Sequence, residues 1–317
     1  MSTVNPVEPG KVATIDLAST SGRSVTRKTT LKPRQRVLRI LNSGIVTLIV
    51  VILAVVWSVP TLGLLVSSFR PGDLVQNSGW WSGLTLPWRF TLDDYQQVLT
   101  AQGMGRSFLN SLIIAIPGTI LPVLVAAFAA YAFAWMKFPG RDWIFIVIVG
   151  LLVVPIQITL IPILQLFTSV NLTGSYLAIW LAHTAYGLPF SVYLLRNFFG
   201  ELPADLFESA HIDGASHTRI FFRLVLPLSV PALASLIIFQ FMWVWNDLLV
   251  ALVVLGGNPA STPMTVTIAN MVNSTTSNSN FQVLASAAFV SAILPLIIFF
   301  ALQRYFVRGI LAGSVKG

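Results

Sequence analysis

The chain has 317 residues, 55% hydrophobic and 9% charged, with a net charge of +8 and no cysteine. A soluble domain carries roughly a quarter charged residues, so this chain has too little polar surface to meet water, and its apolar residues fall in runs of about 20, the length that crosses a bilayer. The missing cysteines exclude disulfides, thiolate nucleophiles and cysteine-bound metal.

Eight of the 19 basic residues (Lys11, Arg23, Arg27, Lys28, Lys32, Arg34, Arg36, Arg39) are gathered before the first apolar run, a distribution that argues against nucleic acid as a partner. Residues 1–36 are rich in Ser, Thr and Pro with almost nothing to bury, so they read as a disordered basic cytoplasmic tail. Residues 37–317 read as a transmembrane domain. Its apolar runs lie at about 40–66, 108–135, 143–168, 175–196, 229–255 and 284–306. With the N-terminus inside, six crossings return the C-terminus inside. Sixteen of the 19 basic residues then lie inside, and only Arg70, Arg89 and Arg106 outside. That asymmetry obeys the positive-inside rule. The expected fold class is an all-α membrane protein of about six transmembrane helices, N-in and C-in.

The first outer loop, about 70–106, carries Trp80, Trp81, Trp88, Phe90 and Tyr95, whose amphipathic rings suit the membrane interface. Thr91-Leu92-Asp93-Asp94 reads as the capped start of a short helix reaching Leu99. Prolines inside the runs (Pro60, Pro117, Pro122, Pro155, Pro162, Pro189, Pro295) each remove a backbone hydrogen bond and predict kinks.

The inner loop between the fourth and fifth runs, about 197–228, is longer than a connection requires. Pro203 suits a first helical turn, no breaker follows from Ala204 to Asp213, and Gly214 stands where a left-handed cap belongs. Leu206 and Ala210 share a stripe with Phe207 and His211 beside it, while Asp205, Glu208 and Asp213 point elsewhere. A second short helix is expected over Thr218–Val225, ending at Pro227. Helices that rest on lipid are usually basic on their polar face. This one is acidic, which suits insertion into a groove on another protein.

The run Glu208-Ser209-Ala210-His211-Ile212-Asp213-Gly214-Ala215, followed by Ile220, Phe221, Arg223 and Leu226-Pro227-Leu228, resembles the "EAA…G…LP" loop of ABC importer permeases, with Ser209 where the family usually has Ala. Trp245-Asn246-Asp247, Phe69-Arg70-Pro71, Asn110-Ser111-Leu112 and the ending from Gln303 through Val315-Lys316-Gly317 are similar to the carbohydrate-uptake branch and its maltose-type second permease. The resemblance implies a coupling helix made by Leu206, Phe207, Glu208, Ser209, Ala210, Asp213 and Gly214, docked in a cleft of a cytosolic ATPase. It implies as partners a second permease subunit, two copies of that ATPase, an extracytoplasmic solute-binding protein and a sugar, in a multi-pass bacterial or archaeal plasma-membrane protein surrounded by lipid.

No Walker sequence, H-E-x-x-H or G-x-S-x-G occurs, so the expectation is a transport subunit without enzymatic activity, catalytic residues, metal or cofactor of its own, ATP and Mg being bound by the partner ATPase. Polar residues inside the runs are the candidates for a translocation path: Gln157, His183, Tyr186, Gln240, Asn246 and Asp247. For His183 and Gln157 the plainer reading is an interhelical hydrogen bond. Asp247, close after the belt-forming Trp243 and Trp245, reads equally as an interface residue or as a gate or sugar-path residue. The rival functions are an ion-gradient-driven secondary transporter, against which the lack of an internal repeat counts, and an importer permease for a solute other than sugar.

Overall fold

Backbone N–H and C=O groups inside hydrocarbon have to be paired within their own segment, and helices meet that demand here. The computed structural model describes residues 33–274 and 281–314, with side chains over 44–273 and 281–301, and among the described residues there is no strand. Residues 1–32 of the expected tail, residues 275–280 and 315–317, and the side chains of the C-terminal run from Gln303 lie outside the described residues. The first helix, α1 (Pro33–Ser67), opens on a proline whose missing N–H is spare in a first turn, so helix begins within the stretch assigned to the tail.

The chain forms two units, one up to Ser58 and one from Val59 onward. The described part of the first is the start of α1, whose apolar side chains from Ile45 to Trp57 are exposed. The second unit continues with α2 (Gly72–Asn77), a 3-10 turn (Trp80–Leu84), α3 (Asp93–Leu99) and α4 (Met104–Trp135). Then come α5 (Arg141–Gly150), α6 (Ile156–Ser169), α7 (Tyr176–Gly200), α8 (Ala204–Ile212) and α9 (His217–Ile220). A π turn (Phe221–Val225) leads to α10 (Leu226–Leu228), followed by α11 (Val230–Trp245), α12 (Leu249–Leu255), α13 (Met264–Ser274) and α14 (Phe281–Ser314).

Four described stretches are long and apolar enough to cross a membrane alone: Gly44–Ser67, Met104–Trp135, Tyr176–Gly200 and Phe281–Ala301. Two bent pairs bring the number to six when each is counted as one crossing. The expected straight run 143–168 is one of them. Its halves, Arg141–Val153 and Ile156–Ser169, meet at 105° where Pro155 has no N–H to continue the ladder. The run 229–255 also departs from a single helix. A bend of 76° separates His217–Leu228 from Val230–Trp245, and the helix stops at Trp245 before restarting at Leu249. The second loop helix does not end at Pro227 but runs through the π turn to Leu228. Pro227 cannot donate to the carbonyl of Arg223, and the ladder shifts register just before it.

α4 packs along α7 and α11. Ala115, Ala126 and Ala130 on α4 are fully buried, and a Cβ on Gly118 would stand 3.2 Å from Val244 Cγ1, so small side chains set the close approach. One buried cluster gathers Ile114, Ile179, Val244, Trp245 and Val254; a second lies under the 204–228 loop and includes Ala130, Tyr131, Leu195, Phe199, Phe207 and Phe221.

In the first outer loop, Trp81, Trp88 and Phe90 are exposed. Trp80 instead packs on Gly63, and Tyr95 bonds Ser68 Oγ at 2.8 Å. Thr91 Oγ1 accepts from Asp93 N at 3.1 Å and starts α3.

Candidate functional site

The loop 203–216 closes on itself by backbone geometry. Pro203 precedes α8, and Ser209 Oγ donates to Asp205 O at 2.8 Å on its exposed side. At the far end Gly214 has φ +73°, Gly214 N donates to His211 O at 3.0 Å, and Ala215 N donates to Ala210 O at 2.9 Å. Those two bonds are a Schellman closure, which needs a left-handed residue at Gly214. His211 Nδ1 is 2.6 Å from Phe207 O, an acceptor only, so that nitrogen carries the proton.

Phe207 is 3% exposed and stacks on Trp135 with ring centroids 3.5 Å apart, while Trp135 Nε1 donates to Phe199 O at 2.8 Å. Phe207 therefore faces the bundle rather than a partner, and Ala210 beside it is half-buried. Leu206, Glu208, Ser209, Asp213 and Gly214 are exposed. So is Ile212, 86% exposed, an apolar side chain held out at the tip of the turn.

The six path candidates separate into three places. Tyr186 and Gln240 share a cavity of about 480 Å³ beside the Pro155 bend, lined also by Thr159, Phe190, Phe239 and Trp243. There Tyr186 Oη and Thr159 Oγ1 are 2.8 Å apart, and Gln240 Nε2 donates to Gly118 O at 3.3 Å. No charged side chain lines it. His183 and Asp247 sit together in a separate niche with Ser111, Trp245 and Pro263. Asp247 Oδ1 and Oδ2 accept from Val250 N (3.1 Å) and Ala251 N (2.9 Å), capping α12. Asn246 is exposed and turns back on Met242 O, and Gln157 is exposed away from the cavity lining.

Residues 118–312 match the model of the family described as "Binding-protein-dependent transport system inner membrane component". The chain belongs to that family. This permease is thus a multi-pass inner-membrane transport subunit and not an enzyme, and the matched region contains both the closed loop and the cavity. It is 55% identical over 267 residues to the osmoprotective compounds uptake permease protein GgtD of Synechocystis sp., covering 83% of this chain and 89% of that one. It is 56% identical over 238 residues to the alpha-glucoside transport system permease protein AglG of Rhizobium meliloti, covering 74% of this chain and 62% of that one. Among solved structures, a bacterial ABC transporter involved in the import of the acidic polysaccharide alginate has the same fold, at TM-score 0.73 and 20% identity over 87% of this chain and 98% of that one.

Sequence reasoning about the permease gave no role to Ile212, Trp135 or Thr159, and took Trp243 for an interface residue. Ile212 lies inside the recognised loop, and an apolar residue among acidic ones was the available signal. Trp135 and Trp243 carry no such signal, because tryptophan is ordinary in spans and near their ends.

Proposed function

We propose that this permease is one membrane-spanning subunit of an ATP-driven importer for sugars of the glucoside or maltose-type oligosaccharide class. A single observation carries the coupling half: the turn around Gly214 is closed by its own backbone, held inward by Phe207 and bare on its other face. A rigid, acidic, apolar-tipped projection suits a groove on another protein. Here that protein is a cytosolic ATPase present in two copies, which supplies ATP and Mg chemistry that this chain lacks. A second permease completes the path, and an extracytoplasmic solute-binding protein delivers the sugar.

The uncharged cavity supports a neutral solute. Trp243, Phe190 and Phe239 offer flat apolar faces for a pyranose ring, and Tyr186, Thr159 and Gln240 offer hydrogen bonds. The names of the two relatives point the same way, since one concerns alpha-glucosides and the other osmoprotective compounds.

Uptake of radiolabelled maltose and sucrose into cells decides the reading. Uptake should vanish on deletion of the partner ATPase and survive collapse of the proton and sodium gradients with ATP maintained. The reverse dependence indicates a secondary transporter. Gln240→Ala and Trp243→Ala should raise KM about tenfold, the loss of a hydrogen bond or a stacking face; unchanged KM in both removes the cavity from the path.

A further inference from the structure

Both arms of the closed turn are tied to one helix. Before the turn, Phe207 stacks on Trp135 at 3.5 Å. After it, His217 Nδ1 lies 3.0 Å from Tyr131 Oη. Tyr131 and Trp135 are one helical turn apart near the end of α4, so they project from the same face. Tyr131 is 5% exposed and packs on Phe221, which stacks in turn on Phe128 at 4.8 Å. The phenol is therefore fixed within hydrogen-bond distance of the His217 ring, and the tautomer of that ring sets which of the two donates. His211, on α8, meets His217 edge to face at 5.5 Å and closes the clamp across Gly214.

At its other end α4 holds Thr262 and the first turn of α13. Asn110 Nδ2 donates to Thr262 O at 2.9 Å, Met264 N donates to Ser111 Oγ at 2.9 Å, and Ser107 Oγ and Thr267 Oγ1 are 2.7 Å apart. Asn110 Oδ1 also accepts from Tyr176 Oη on α7 at 2.7 Å. A single helix thus bonds the loop at one end and the 262–267 segment at the other.

We propose that Tyr131 and His217 are positioning residues for transport: with the Trp135–Phe207 stack, their hydrogen bond clamps the Gly214 turn to α4, which carries movement of the loop to the 262–267 segment. This rests on the reading of the loop as an ATPase-docking turn. A helix bonded at both ends moves as a body, whereas a loop tethered at one arm swings without moving it. His217 is exposed and lies beyond the candidate coupling residues, and Tyr131 is buried and does not line the cavity.

The test uses the assembled transporter in nanodiscs, with Thr262→Cys as the only cysteine of this chain. Its labelling rate is read with and without ATP and vanadate, and retained ATPase is measured in the same samples. The parent should show a nucleotide-dependent change in rate. Tyr131→Phe and His217→Ala should shrink that change about fivefold, the share that one hydrogen bond of ordinary net strength accounts for, with ATPase retention unaltered. His217→Asn, whose amide keeps both a donor and an acceptor near the Nδ1 position, should restore most of it. The double variant Tyr131→Phe/His217→Ala should lose no more than either single, because both remove one bond.

A full nucleotide response in both single variants overturns the proposal, and so does an additive loss in the double. A parent that responds to nucleotide nowhere at Thr262 overturns it too, since α4 then carries no movement. A parent that retains no ATPase at all defeats the docking reading beneath it. If Tyr131→Phe fails to assemble, the exposed His217 pair still decides, because Asn must outperform Ala.

Discussion

His183 Nε2 lies 3.8 Å from Asp247 Oδ2, and neither ring nitrogen of this fully buried histidine has a hydrogen-bond partner among the described residues. The separation exceeds a hydrogen bond, and the niche of about 10 Å³ is close to the room that one water needs. The carboxylate is already occupied as the cap of α12. Asp247→Asn keeps an acceptor oxygen for that cap and should leave thermal stability near that of the parent. Asp247→Ala should cost about 1 kcal/mol, the usual loss for a missing N-cap. Thermal unfolding of the purified permease in detergent separates them. Equal losses would mean that the charge beside His183 matters and the cap does not.

What could be read from residues, and what could not, follows the range of the interactions. The helix expected over 204–213 with a glycine stop is found as α8 and the Gly214 closure, because proline, helix formers and glycine act on their own neighbours. The direction of Phe207 was illegible. Periodicity says which residues share a face, not which face turns inward, and Trp135, far off in sequence, settles that. Pro155 announced a kink, but its 105° depends on what packs against each half. Hydropathy read 229–255 as one span, since a carboxylate turned back onto Val250 and Ala251 leaves no mark in an apolar average.

Asp94, on α3, is 7% exposed with Oδ2 unpartnered among the described residues. Burial, with Asp93 adding repulsion, pushes its carboxyl above the ordinary 3.8. The native state then holds the proton more tightly than the unfolded chain, so ionised Asp94 costs stability. That cost is absent below the unfolded value and grows as pH rises through the folded one. Asp94→Asn should raise the unfolding temperature at neutral pH, with the gain closing as pH falls toward 3.8. A gain independent of pH would assign the effect to packing.

Nothing lies within 4 Å of where a Cβ on Gly214 would sit, so a side chain there meets no clash and only backbone strain. Holding a non-glycine residue left-handed costs roughly 1–2 kcal/mol, and a β-branched one tolerates it least. Gly214→Val should cut uptake about tenfold, the effect of roughly 1.4 kcal/mol on one equilibrium, with membrane abundance unchanged. Gly214→Asn should stay near the parent, because asparagine accepts that conformation. Parallel losses in both would point to contact with a partner rather than to the turn.

The orientation follows from basic residues alone and is open to direct test, since the chain has no cysteine. Ser82 is a poor reporter because it binds Arg70 at 3.1 Å. Gln97 on α3 and Thr218 on α9 are exposed. An impermeant thiol reagent should label Gln97→Cys on intact cells and Thr218→Cys only once the membrane is opened. The opposite pattern would invert the topology and put the loop outside.

The tip of the turn supplies the sharpest test of docking. Ala210, at the centre of the expected stripe, is half-buried against its own bundle, whereas Ile212 is 86% exposed beside exposed Asp213. An apolar side chain left this open on the solvent side gains about 1.5–3 kcal/mol when a groove covers it, so Ile212 should sit deepest in the ATPase cleft. Ile212→Cys should form a disulfide with a cysteine placed in that cleft, and Phe207→Cys, turned toward Trp135, should not. Leu206→Cys, exposed but a full turn and a half back along α8, should react more slowly. Yield at Ile212 should change with bound nucleotide, because a ligand shifts only states whose contacts differ. Equal yields at Ile212 and Phe207 would mean that α8 unfolds or collides at random. A yield at Leu206 above that at Ile212 would mean that the helix docks along its side, with its tip left free.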